Sequence, residues 1–191
     1  MAPGSERMSV SSGATDRERR WWSQLGHRAV GAIAGCEVPV VARVQGWCVG
    51  GGLALALAAD FRISSDDAQF SIPEIDIGIP LAWGATPRLI AEIGAAKARE
   101  MILMCDPVDA TEAARLGLVH RSVPAADLDT TLAHWVERLV AKPEQAVHME
   151  RSKFRAYAVR STLGDVTETD GEMMLSASRS PRAKQSFGGL T

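Results

Sequence analysis

Cysteine is scarce in this 191-residue chain. Cys36, Cys48 and Cys105 are widely spaced, with no CxxC pair and no even-numbered set. That excludes a disulfide framework and points to reduced thiols in the cytoplasm. The four histidines are scattered and no HExxH occurs, so no metal site is expected. Neither sign of charge dominates: 21 Lys and Arg face 23 Asp and Glu, a net −2. Nucleic acid and anionic membrane surfaces are therefore not expected partners. Long hydrophobic runs are missing too. The longest, Trp47 to Ala59, has 13 residues and ends at Asp60, short of the roughly 20 that a membrane span needs. A secretory leader is not expected either, because Arg17, Arg19 and Arg20 lead into a stretch broken by His27 and Arg28. What remains is an ordinary balance, 46% hydrophobic and 23% charged, able to bury a core.

Residues 1–14 are small and polar and are expected to be disordered. Thr15 and Glu18 fit a capping box. Trp22, Leu25, Ala29 and Ile33 then share one helical face, and Gly35 stops the helix. Val38 to Val44 reads as a buried strand with Pro39 near its start. Leu53 to Ala59 reads as a buried helix, and Phe61–Ser64 and Gln69–Ile72 as strands around an Asp66-Asp67 turn. A Pro- and Gly-rich loop follows. Thr86 with Pro87 predicts a helix start; that helix ends at Gly94 and another spans Ala95–Cys105. Asp109 and Glu112 suggest a second capping box, Gly117 a stop, and Leu118–Val123 a strand. Beyond a boundary near Pro124 the pattern turns helical. Leu128, Leu132, Trp135 and Leu139 share a face, as do Val147, Phe154 and Ala158, and a third helix is expected over Leu163–Ala177. The expected division is thus a core at 15–123 and a helical region at 124–191. Arg62 and Asp60 read as structural residues, and Met173 and Met174 as core or oligomer contacts.

Gly50, Gly51 and Gly52 sit where a strand meets a helix. A dinucleotide fingerprint would need GxGxxG, and the last glycine is absent. A phosphate-binding GxxxxGK[ST] loop would need Lys where Gly52 stands. Two readings stay open. The glycines let helix and strand pack closely, or they open helix N-terminal amides to a carbonyl oxygen that gathers negative charge. The second needs a base. Glu74, in the apolar stretch SIPEIDIGIP, is the candidate, and Asp76 competes with it. A carboxylate in such surroundings is desolvated and its pKa is raised.

Three segments taken together, VPVVARVQGWCVGGGLALALAADFRISSDDAQFSIPEIDIGI, GATPRL and VDATEAARLGLVHRSVP, resemble the enoyl-CoA hydratase/isomerase (crotonase) superfamily. The likeness is clear from Val38 to Pro124 and looser beyond. It implies an α/β fold, a spiral of ββα units with a C-terminal helical region that builds a homotrimer or a dimer of trimers. It implies acyl-CoA thioesters as substrates, with CoA arriving as part of the substrate and no separate cofactor. The thioester oxygen would be held by two backbone amides, one of them at Gly51. One family glutamate falls on Ala54, and the other on Glu74. Ile79, Pro80 and Trp83 match the loop that lines the acyl pocket.

Two departures from the family pattern carry expectations of their own. With Ala54 the carboxylate pair is broken. Syn hydration is easiest with two carboxylates sharing a water, whereas one can shuttle a proton from C2 to C4. Double-bond isomerisation is therefore expected over hydration. The family also begins with strands that supply the second oxyanion amide and much of the CoA cradle, and this sequence starts after them, so a form truncated at its N-terminus is expected. The alternative expectation is a non-catalytic subunit that binds acyl-CoA or a partner chain without turnover.

Overall fold

The computed structural model describes residues 15–161 and 170–179. The expected disordered start, residues 163–169 of the helix expected from Leu163, and the Ala158 and Met174 side chains lie outside the described residues.

The first helix, α1 (Asp16–Ala34), starts as the sequence predicts. The Glu18 N–H donates to Thr15 Oγ1 at 3.3 Å, and the Thr15 N–H donates to Glu18 Oε2 at 2.7 Å. Its buried stripe differs from expectation. Trp22, Leu25 and Ala29 are exposed, whereas Val30 is buried and Ile33 packs on the core. The inward stripe is Gly26, Val30 and Ile33. A side-chain-based reading skips it because it begins on a glycine.

Two ββα units follow: β1 (Val41–Val44), β2 (Trp47–Val49) and α2 (Gly51–Ala58), then β3 (Phe61–Ser65), β4 (Gln69–Ser71) and α3 (Ala85–Met104). Equivalent strands pair in parallel, with Val41 opposite Phe61 and Trp47 opposite Gln69. This repeat has no counterpart in residue identity. Strand β1 is shorter than expected. Val38 is exposed, Pro39 has no N–H, and the Val40 N–H donates to Asp60 Oδ2 at 2.7 Å instead of to a ladder. Helix α3 begins after Gly84 (φ 67), so Thr86 and Pro87 lie inside its first turn and do not cap it. Proline is tolerated there because first-turn amides have no acceptor within the helix. At Gly94 (φ 76, ψ 158) the helix breaks, where two helices are expected to meet.

The short strand β5 (Val108–Asp109) leads into α4 (Ala110–Leu116) and β6 (Arg121–Val123). Only half of the second capping box forms. Asp109 Oδ1 accepts from the Glu112 N–H at 2.8 Å, but the Glu112 carboxylate turns to Arg115. The strands make two three-stranded sheets, β1-β3-β6 and β2-β4-β5. β1 and β2 each stand at an edge of their sheet, with one lateral face unpaired among the described residues.

Helix α5 (Leu128–Val140) lies on β1 and β3, burying Leu128 and setting Trp135 edge-on to Phe61 and His120. Helix α6 (Glu144–Ser161) turns Arg151 inward, not Phe154, which is exposed. Arg151 Nε and Nη2 donate to Asp60 Oδ1 and Oδ2 at 2.9 and 2.7 Å, and Nη1 donates to the Cys36 carbonyl. A charge on the inner face defeats an apolar-periodicity reading. The last described helix, α7 (Asp170–Ser178), packs on α1. No helix is long and apolar enough to cross a membrane among the described residues.

Arg62 of β3 is fully buried. Its Nε donates to the Leu118 carbonyl at 2.7 Å and Nη1 to the Ala59 carbonyl at 3.0 Å, while Nη2 pairs with Glu92 at 2.6 Å. One guanidinium thus ties the end of α2, the entry to β6 and the middle of α3 together.

Candidate active site

Gly50 connects β2 to α2 with φ 51 and ψ −113, a combination that L-residues with a Cβ avoid. Its N–H donates to the Ser71 carbonyl of β4 at 2.9 Å, and its carbonyl accepts from the Ala54 N–H at 3.0 Å. The backbone is pinned on both sides. Gly51 follows as the first residue of α2, so its N–H has no acceptor inside the helix and adds to the positive end of the helix dipole.

Glu74 is presented by a tight turn after β4. The Ile77 N–H donates to the Pro73 carbonyl at 3.2 Å and the Ile79 N–H to the Glu74 carbonyl at 3.0 Å. The turn lays the carboxylate against the Cα of Gly50: a Cβ there would sit 3.2 Å from Glu74 Cδ and closer still to Oε1. Glu74 Oε2 is buried without a hydrogen-bond partner. Burial raises the carboxyl's pKa above the ordinary 4.5, opposed by a smaller effect from its own backbone. Asp76, the competing candidate, is exposed. Gly50→Ala would combine backbone strain with a collision at Glu74, and should lower unfolding stability by about 1–3 kcal/mol. Urea denaturation measures it, and a loss below about 0.5 kcal/mol would contradict the packing described.

Ala54 lies in the first turn of α2 and is buried in the core. It offers no ionisable group. Ile79 and Pro80 are half-buried in the connection from Glu74 to α3. Trp83 is the pocket candidate brought to Gly51: a Cβ on Gly51 would lie 2.8 Å from Trp83 Cη2 and nearer to Cζ3. The opposite edge of the indole meets α1, where a Cβ on Gly26 would lie 2.5 Å from Trp83 Nε1. Sequence reasoning missed Gly26. A lone glycine inside a helical pattern is the signal that something passes close by. Cys48 is buried nearby on β2, its thiol pushed up to about 11 by burial, so it stays protonated and is no nucleophile. Between α1, β1 and α2 a groove of about 380 Å³ is lined by Ile33, Val40, Val44, Gly52, Leu55 and Ala56 among others, with Glu74, Gly51 and Trp83 outside its lining.

Comparison with known proteins identifies the family of the chain. Residues 12–189 match the sequence pattern of the family described as Enoyl-CoA hydratase/isomerase. The chain belongs to the enoyl-CoA hydratase/isomerase family. It is 34% identical over 135 residues to the Crotonyl-CoA hydratase of Syntrophomonas wolfei, covering 71% of this chain and 52% of that protein. To the Short-chain-enoyl-CoA hydratase of Clostridium acetobutylicum it is 33% identical over 134 residues, covering 70% of this chain and 51% of that one. The chain spans about half the length of the curated relatives it matches. Among solved structures, an enoyl-CoA hydratase from Mycobacterium avium subsp. paratuberculosis superposes with a TM-score of 0.84 at 27% identity, covering 92% of this chain and 72% of that one. A monofunctional enoyl CoA isomerase from M. smegmatis superposes with a TM-score of 0.61 at 31% identity, covering 70% and 63%. The fold is therefore crotonase-like. Family members named for hydration and for isomerisation both resemble it.

Proposed function

We propose that this enoyl-CoA hydratase/isomerase family chain acts on acyl-CoA thioesters by single-carboxylate proton transfer, moving a double bond from a 3-enoyl to a 2-enoyl position. The observation that carries this reading is the juxtaposition of the half-buried Glu74 carboxylate, its Oε2 enclosed and its Oε1 against Gly50, with the N-terminal amide of the adjacent Gly51. Glu74 takes a proton from C2 and the electron pair spreads into the thioester. The oxygen gathers negative charge in front of the Gly51 amide, which holds it. The protonated Glu74 then returns the proton at C4, and the double bond settles between C2 and C3. Atoms balance within the substrate, and no cofactor beyond the substrate's own CoA takes part. Ala54 supports isomerisation over hydration, since no second carboxylate stands there to share a water. The test is turnover of the purified chain with 3-enoyl-CoA and 2-enoyl-CoA. Faster disappearance of the 3-enoyl isomer, without formation of the 3-hydroxy product, is expected. Preferential hydration of the 2-enoyl substrate would overturn it.

A second reading rests on the open edges of β1 and β2, which flank the apolar groove. A chain with such edges suits the role of a subunit that binds acyl-CoA or a partner chain without turnover. Acyl-CoA binding with no reaction of either isomer would favour it. Oligomerisation through the C-terminal helices is compatible with both readings.

A further inference from the structure

His120 stands one residue before β6 and takes both main-chain polar groups of Arg62. The His120 N–H donates to the Arg62 carbonyl at 2.8 Å, and the Arg62 N–H donates to His120 Nδ1 at 3.2 Å. The β3–β6 ladder itself starts one step later, with Ile63 opposite Arg121. The imidazole thus adds a rung to the sheet, with a side-chain nitrogen in the place of a carbonyl. Such a rung sets the tautomer: Nδ1 must be bare, and in the neutral ring the hydrogen is on Nε2. The same ring meets Phe61 of β3 edge-on at 5.2 Å and Trp135 of α5 at 6.0 Å between centroids. One half-buried histidine therefore joins β3, the entry to β6 and helix α5.

A proton on Nδ1 turns that acceptor into a donor facing another donor, the Arg62 N–H. It also brings positive charge into surroundings that already hold cations. Burial and the Arg62 guanidinium both push the His120 pKa below the ordinary 6.5, and Arg121 adds to them. The carboxylates of neighbouring elements are committed elsewhere. Glu92 of α3 pairs with Arg62, Asp129 of α5 with Arg43 of β1, Asp60 before β3 with Arg151 of α6, and Glu112 with Arg115 within α4. His134, Glu137 and Arg138 of α5 are exposed. We propose that His120 is an acid-sensitive latch: its neutral ring fastens the start of β6 and helix α5 to β3, and protonation at Nδ1 releases them. The latch works independently of the reading of Gly51 and Glu74.

The folded chain holds this proton less tightly than the unfolded chain does. The contribution of His120 to stability is therefore fully present above 6.5 and is lost as pH falls through the lower folded value. Proton NMR of the full wild-type chain reads the ring directly, assigned through its contacts with Phe61 and Trp135. A titration midpoint below 6.5 is expected, and one at or above 6.5 overturns the proposal. His120→Asn places an oxygen acceptor where Nδ1 stands and does not titrate. Between about pH 8 and about pH 5, the wild-type urea midpoint should fall by about 0.5 M more than that of His120→Asn. His120→Phe keeps the ring contacts but leaves the Arg62 N–H without an acceptor, so it should be less stable than wild type at about pH 8, with no such extra fall. Amide hydrogen exchange locates the release. At about pH 5 the Arg62 amide and β6 should exchange faster in wild type than in His120→Asn, and at about pH 8 alike. A purely structural role for His120 gives wild type and His120→Asn the same response to pH, and that result overturns the latch whatever the stability of the variant.

Discussion

Glu74→Gln is expected to slow double-bond migration by about a hundred- to ten-thousand-fold, the usual worth of a positioned proton-transfer group. The amide keeps the shape of the side chain but cannot take a proton from C2. Binding should survive, so the loss should appear in kcat and leave KM nearly unchanged. In wild type, activity should rise with pH along a limb displaced above the ordinary glutamate value of 4.5, because burial favours the neutral acid. The same substitution has an opposite effect on stability. In the native state the raised pKa means that the folded chain holds the Glu74 proton more tightly than the unfolded chain does. Its contribution to stability is fully present below 4.5 and is lost as pH rises through the higher folded value. Glutamine does not titrate, so it escapes that loss. Thermal scans should show Glu74→Gln matching wild type under acid conditions and exceeding it at neutral pH and above. Undiminished turnover in the variant would remove Glu74 from the mechanism. A stability difference that did not widen with pH would contradict its burial.

Arg62→Ala is expected to cost about 3–5 kcal/mol of unfolding stability. The guanidinium is fully buried, and it satisfies the Leu118 and Ala59 carbonyls as well as Glu92. Its loss leaves the carbonyls without a donor and a cavity where the side chain stood. Glu92 is less affected, since its side chain is 34% exposed and can rehydrate. Glu92→Ala should nevertheless be harmful, for it strands a buried cation. The two substitutions should be strongly non-additive, the double variant losing less than the sum of the singles. Urea denaturation with a double-mutant cycle measures this. A coupling energy near zero would mean that the buried pair is not the joint between β3 and α3 that its geometry describes.

Local chemistry made some features legible. Thr15 and Glu18 close a capping box because all its partners lie within one turn. Gly35 and Gly117 mark helix ends, the latter with φ 84. Glu74 is readable as a desolvated acid because its apolar neighbours are adjacent in sequence. Other features depend on distant parts of the chain. The inward stripe of α1 runs through Gly26, whose partner is an indole contributed by the loop before α3. The inward residue of α6 is Arg151, whose partner is Asp60 at the far end of α2. Neither has an apolar signature, so hydrophobic periodicity chose Trp22 and Phe154, both of which are exposed.

By itself, the sequence determined the family, the alternation of strands and helices, the bare strand-to-helix corner and the single carboxylate suited to it. The family was legible from the resemblance of three segments taken together, and the other features from short-range spacing, which acts before any long-range contact forms. The tertiary structure alone decided that Glu74 rests on Gly50, that Trp83 is held between Gly26 and Gly51, and that a buried guanidinium joins three elements. These are matters of which surfaces meet, and a glycine shows what it makes room for only once its neighbour is in place.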